Sequence, residues 1–364
     1  FFSIDISGDI SKNVPQGDLS RYVLSPDEPN ESCLYNIFHL VDKAQTAAEK
    51  REKLEQLVYL IIDIPPGAQD AQLYFLNTAR IFLAAMIAFY GIGVDFVDIC
   101  KTVFFNSLED LVRLIRVTKN ELAIGYIMPV VEENEKNTSG AKSALNDKVK
   151  LFADNENMQN LLRRPLRNFD TGEVEHCFVP ELIEDSQVFI KVPDKKQEYY
   201  AALMHIVTGQ ILEYISGREY NSRTDRRILI ALDEFASLGH FEILSPFRKF
   251  RKNGANLCVL TQSLADIDLV YSEKERQVIL DNSRYVVVLS ATDNATRDYF
   301  SNLIGKQTVK NVSKTTGSSN NSTSVSESRD YAVQPEEWKT SSDELTVIHP
   351  SGYCRLKKNF FFKD

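Results

Sequence analysis

The run "ILIAL", Ile228 to Leu232, ends abruptly at two adjacent carboxylates, Asp233 and Glu234. Five successive apolar residues before a polar break read as a strand buried on both faces, the pattern of a parallel sheet. Similar runs follow in "NLCVLTQS" and "YVVVLSATD", and one precedes it in "SQVFIKVPD". The long amphipathic stretch "QEYYAALMHIVTGQILEYI" lies between the first two of these four segments. Strands alternating with helices in this way imply parallel pairing through right-handed crossovers.

The amino-terminal half has a different texture. Residues 1–42 read as strand and loop, from "FFSIDISGD" to "RYVLSPDEPNESCLYNIFHLVD", with Pro26 and Pro29 as punctuation. From about Lys43, apolar residues recur at three- and four-residue spacing in "AQTAAEKREKLEQLVYLI", "AQLYFLNTARIFLAAMIAFY" and "SLEDLVRLIRV". Helical character continues through "SALNDKVKLFA" and "NLLRRPLRNF" and fades near Asp170. The expected fold is therefore α/β, a mainly parallel sheet with a large all-α insertion. Its boundaries are expected at 1–42 and 175–364 for the sheet domain and 43–174 for the insertion. Val309–Arg329, rich in Ser, Thr and Asn, reads as a mobile loop within the second part.

Composition bounds the function. Charged residues make up 26% and apolar ones 43% of the 364 residues, ordinary for a globular chain. With a formal charge of −9, any contact with nucleic acid must rely on a local basic patch. Cys33, Cys100, Cys177, Cys258 and Cys354 show no CxxC spacing, which argues against zinc and for thiols used as small core residues in a reducing compartment. The apolar stretch Ile81–Val94 is too short to span a bilayer and fits a buried helix.

In open parallel sheets, ligands collect at the carboxyl ends of strands. Asp233 and Glu234 there suit a Mg²⁺ held through water and a water molecule polarised against a nucleotide phosphate; the plainer reading is a solvated turn. Downstream, "FRKFRKNG" gathers Arg248, Lys249, Arg251 and Lys252 before Gly254. Such a cluster is a solvated helix end, an arginine finger for a neighbour's γ-phosphate, or a backbone contact to nucleic acid. "VLTQS" then sets Gln262 at another strand's carboxyl end, where it can sense the γ-phosphate or orient water. No GxxxxGK[ST] loop is present; "NTSGAKSAL" has Gly140, Lys142 and Ser143 but lacks the Gly before Lys and lies in the helical stretch.

Taken in order, "DISGDISK", "LSP…YNIF", "IALDEFASLG", "FRKFRKNGANLCVLTQSLADI", "YSEKERQVILDNSRYVVVLSATD" and "NLIGKQTV" resemble segments of type IV secretion coupling proteins, the TraG/TraD-type ATPases of bacterial conjugation. The resemblance covers the chain nearly end to end. It implies a RecA-like P-loop NTPase sheet with an inserted all-α domain, binding ATP and Mg²⁺. It also implies a membrane anchor and a hexameric ring on the cytoplasmic face of the inner membrane. Such rings recruit a relaxase with its single-stranded DNA, or a secreted protein, and engage other secretion-system subunits.

On this resemblance Asp233 and Glu234 become the Walker B pair, with Asp233 ordering Mg²⁺. Gln262 becomes the sensor and Arg251 the trans-acting finger, leaving Arg248, Lys249 and Lys252 for nucleic acid. The chain starts on a strand at Phe1 without Met, so the P-loop and the anchor are expected upstream of it, and these residues alone should bind ATP poorly. Asp266 stands where relatives commonly carry Gln. Two other readings are a substrate receptor in which ATP is only a structural ligand, and a chromosomal DNA translocase. The helical insertion argues against the second.

Overall fold

Phe2, Ile4, Val188, Ile190, Ile230 and Leu232 are completely buried, although they come from three stretches far apart in sequence. In the computed structural model they lie on adjacent parallel strands. The structure describes residues 1–364 except 7, 66, 92, 131–134, 168–169, 241–242, 317–320, 340–342 and 360–364. The chain divides into two units, Phe1–Thr261 and Gln262–Asp364.

The first unit opens with β1 (Phe2–Asp5), α1 (Asp9–Asn13), β2 (Ser20–Leu24), β3 (Leu34–Tyr35) and α2 (His39–Lys43). A helical stretch follows: α3 (Ala47–Ile61), α4 (Asp70–Tyr90), α5 (Phe96–Phe105), α6 (Leu108–Val117), α7 (Glu121–Ile127), α8 (Glu135–Asp154) and α9 (Glu156–Leu162). The chain then returns to the sheet through β4 (Cys177–Phe178), β5 (Ser186–Lys191), α10 (Gln197–Ser216), β6 (Ile228–Leu232), α11 (Leu244–Lys249) and β7 (Ala255–Val259). Among the described residues the central sheet has the order β2-β5-β1-β6-β7, with every neighbouring pair parallel. This is the expected α/β architecture.

Side chains near the helix starts explain where the helices begin. Thr46 accepts the amide of Glu49 at 3.1 Å, and Ser107 accepts that of Asp110 at 3.1 Å, so exposed first-turn donors find partners. Within the helical stretch Phe96 stacks edge-on against Phe152, and Gly140 lets α8 approach α4 so closely that a Cβ would meet the Phe75 ring at 2.5 Å. The Gly140–Lys142–Ser143 segment is thus helical, and Lys142 donates to the Val103 carbonyl. By composition α4 could cross a membrane, but half of its apolar window is buried, as in a core helix. α9 stops at Leu162, so Arg163–Arg167 is not helical, while Asn168 and Phe169 lie outside the described residues. Pro165 disfavours the helical conformation at the residue before it.

The second unit contains α12 (Leu264–Val270), α13 (Glu273–Asn282), β8 (Val286–Val288), α14 (Asn294–Ile304), β9 (Lys306–Thr316), β10 (Asn321–Tyr331), β11 (Glu344–His349) and β12 (Gly352–Lys357). Leu264, Val288, Ala291, Phe300, Val333 and Trp338 form its core, with Trp338 donating to the Ser301 hydroxyl at 2.8 Å.

Three local expectations change. "YVVVL" does not extend the parallel sheet: β8 pairs antiparallel with β11, and Val287 is 54% exposed. "ILIAL" alternates rather than being buried throughout, with Leu229 at 43%. An unbroken apolar run cannot distinguish a strand covered on both faces from one covered on a single face. Outside residues 317–320, which are not described, the stretch read as a mobile loop is a two-stranded ribbon, β9 against β10, registered from Lys306↔Tyr331 to Thr316↔Asn321. Its Thr and Val residues fit extended backbone, which a count of polar residues overlooks. The thiols also divide: Cys33 and Cys100 are buried as expected, whereas Cys258 and Cys354 are exposed.

Candidate functional site

The carboxyl ends of β1, β6 and β7 lie side by side, with Ile4 opposite Leu232 and Leu232 opposite Val259. β6 runs directly into Asp233 and Glu234, both half-buried. The turn is tightly determined. Asp233 Oδ1 accepts the Glu234 amide at 3.1 Å, and the Phe235 amide donates to the Leu260 carbonyl at 2.9 Å. The Phe235 side chain is fully buried and anchors the turn. Glu234 itself adopts left-handed backbone, φ 46 and ψ 50. Such a conformation costs a non-glycine residue about 1–2 kcal/mol and persists only where surroundings enforce it.

A third carboxylate, Asp5, ends β1 but is fully engaged. Its two oxygens accept the Ile10 and Ser11 amides at 3.2 and 2.8 Å and so cap α1. Asp233 spends one oxygen on Glu234 and retains the other. Mg²⁺ keeps several waters and takes one or two carboxylates plus substrate phosphates, so a single Asp233 oxygen fits that ion. Among the described residues no group of three His, Cys, Asp or Glu side chains is assembled.

Gln262 is the first residue of the second unit, exposed in the turn before α12. The next residue, Ser263, caps α12 by accepting the Asp266 amide at 3.1 Å. Asp266 therefore sits in the first turn of a helix, where negative charge is favoured. That gives Asp266 a structural role at the start of α12.

The basic cluster occupies the other end of the sheet. Arg248 and Lys249 close α11, while Arg251 and Lys252 lie in the turns leading into the amino end of β7. All four are exposed, and among the described residues none has an ion-pair partner. A five-residue strand separates Arg251 from the edge bearing Asp233 and Glu234, about 17 Å at a strand's rise per residue. The structure thus does not bring Arg251 to the carboxylates of its own protomer. A further basic pair, Arg226 and Arg227, borders this cluster at the start of β6, with Arg223 in the turn before it. Three arginines immediately before a buried strand were the signal for it in the sequence.

In the other arginine-rich segment, "LLRRPLRNF", one of the three arginines is neutralised. Arg163 makes a two-point pair with Glu175, at 2.5 and 2.8 Å, which holds the Glu175 carboxyl down at about 2.

The fold matches that of the bacterial conjugative coupling protein TrwBdeltaN70 in its unbound monoclinic form, with a TM-score of 0.76 at 16% identity. The match covers 100% of this chain and 80% of that one. The plasmid coupling protein TrwB in complex with ADP and Mg²⁺ matches at TM-score 0.71 and 16% identity, over 100% of this chain and 79% of that one. At such identities the likeness is one of fold, the RecA-like P-loop NTPase fold that the resemblance implied. In sequence, the chain is 23% identical to Protein VirD4 of Agrobacterium fabrum (strain C58 / ATCC 33970) over 184 residues, 49% of this chain and 27% of that protein. The match thus spans about a quarter of the curated relative's length. Residues 14–364 match the family described as Type IV secretory system Conjugative DNA transfer, and the chain belongs to it.

Proposed function

We propose that this chain is the nucleotide-hydrolysing part of a coupling protein that recruits a substrate and drives it into a type IV secretion channel. The substrate is relaxase-bound single-stranded DNA or a secreted protein. The working form is a hexameric ring on the cytoplasmic face of the inner membrane, with residues 43–174 as the inserted helical domain. The observation that carries this reading is the enforced Asp233–Glu234 turn at the carboxyl edge of a parallel sheet, in a chain of the conjugative transfer family.

On this reading Glu234 takes up or orients the proton of the attacking water, and its left-handed backbone sets the direction in which the side chain leaves the turn. The free oxygen of Asp233 holds a water of the Mg²⁺ shell. The bound ion would offset charge developing on the phosphate oxygens. Gln262 senses the γ-phosphate. Arg251, remote from its own carboxylates, completes the site of a neighbouring protomer, where a finger is worth about 10³–10⁵ in rate. Arg248, Lys249 and Lys252 hold nucleic acid.

The test is ATP hydrolysis by the full-length protein with and without single-stranded DNA. A DNA-stimulated rate supports the motor. ATP bound but not turned over, with or without DNA, would favour the receptor reading instead.

A further inference from the structure

The β6–β7 register sets two basic segments side by side. Ile228 pairs with Ala255, and the Ile228 amide donates to the Gly254 carbonyl at 3.0 Å. The residues just before each strand, Arg226–Arg227 and Arg251–Gly254, therefore meet at the amino edge of the sheet.

One buried side chain fastens them together. Arg218 is 9% exposed, and its guanidinium donates to the Asn253 carbonyl at 2.8 Å and the Arg226 carbonyl at 2.9 Å. Glu184 neutralises it through two bonds of 2.7 and 2.6 Å. Asn253 returns a bond to the Arg218 carbonyl at 2.8 Å. Gly254, at φ 73, gives room to Tyr220, whose ring lies 5.1 Å from the Arg218 guanidinium and 5.8 Å from that of Arg227. The two segments are held by backbone carbonyls, which leaves their own charged side chains outside.

We infer that Arg223, Arg226 and Arg227 join Arg248, Lys249 and Lys252 in one cationic ledge that holds the phosphate backbone of single-stranded nucleic acid. All six are exposed. The nearby acids do not cancel them. Asp225, held ionised by the Asn221 amide and the Thr224 hydroxyl, and Asp185, which meets Arg226 at 3.7 Å with both side chains largely in water, are outnumbered by the six cations even with Glu219 counted. Glu219 is the other carboxylate in this segment. An excess of exposed cations on a chain of charge −9 localises attraction for a polyanion on this edge. Arginines, with planar multi-donor heads, suit phosphate oxygens better than lysines do. The ledge is remote from Asp233 and Glu234, so it is distinct from the nucleotide site of its own protomer. The inference rests on the proposed DNA-handling role and adds the loop before β6 to it.

The experiment measures binding of a labelled oligothymidylate to the full-length protein across a salt series. One variant carries Arg223→Glu, Arg226→Glu and Arg227→Glu; another carries Lys249→Glu and Lys252→Glu. The loop variant is expected to lose about tenfold or more in affinity, and its log-log salt slope to fall by about 0.7 per lost phosphate contact. An unchanged loop variant beside a weakened Lys249/Lys252 variant overturns the inference and leaves the proposed role standing. Two unchanged variants, or a wild type without measurable affinity, overturn both. If the loop variant melts early, Arg223→Gln, Arg226→Gln and Arg227→Gln replace it, with the same direction expected. Weakened binding with an unaltered slope contradicts phosphate contact. Polyglutamate displacing the DNA more strongly than unlabelled oligothymidylate of equal charge would assign the ledge to an acidic protein.

Discussion

Asp233 accepts the amide of Glu234 at 3.1 Å while Glu234 itself stands in left-handed backbone, so the two acids are held in one fixed relation. A strand that merely ended in solvent would not require a carboxylate in a conformation that glycine adopts more readily.

Replacing Glu234 with Gly therefore separates stability from function. The variant should gain about 1 kcal/mol from relieved backbone strain, less the extra entropy of the unfolded glycine, and should lose ATP turnover. Thermal melting with a parallel hydrolysis assay checks this. A variant markedly less stable than wild type would show that the Glu234 side chain, rather than its chemistry, maintains the turn.

Gly254 makes the opposite case. Its φ is 73, and an added Cβ would meet the Tyr220 ring at 2.2 Å. Gly254→Ala should cost about 2 kcal/mol or more, combining backbone strain with overpacking. Chemical denaturation at constant m-value measures it. A cost within a few tenths would mean that Tyr220 moves aside freely.

His205, on α10, supplies a pH dependence. Burial pushes its pKa down from 6.5 to about 4; Asp63 opposes the shift, while Lys148 and His240 reinforce it. Lys148 is itself paired with Asp63. Between pH 6.5 and 4 the unfolded chain binds a proton that folded His205 refuses. Its contribution is thus complete above pH 6.5 and is lost as pH falls toward 4, by up to about 1.4 kcal/mol per pH unit. His205→Gln should flatten the decline of melting temperature across that window. Parallel curves for variant and wild type would contradict it.

The parallel sheet, the helical stretch and the carboxylate pair were legible because each depends on local pattern. Apolar runs mark buried strands, three- and four-residue spacing marks α3, α4 and α6, and the abrupt change from Leu232 to Asp233 marks a strand's end. What pattern could not supply is long-range pairing. Nothing local in "YVVVL" says that its partner is Thr346–Ile348 rather than another buried strand, and the β9–β10 ribbon exists only because its two polar halves pair with each other. The basic segments show the same limit. Arg226 and Lys252 lie far apart in the chain, and only the Ile228↔Ala255 register and the Arg218 clamp make them neighbours.

The central claim is that Glu234 handles the hydrolytic water while Asp233 orders the metal. The most direct measurement compares ATP binding and hydrolysis in full-length wild type and Glu234→Gln. Gln keeps the size and the backbone of Glu but removes the proton acceptor. ATP affinity should remain within a few-fold of wild type, and turnover should fall by about 10²–10⁴. Hydrolysis at the wild-type rate with intact binding would contradict the assignment.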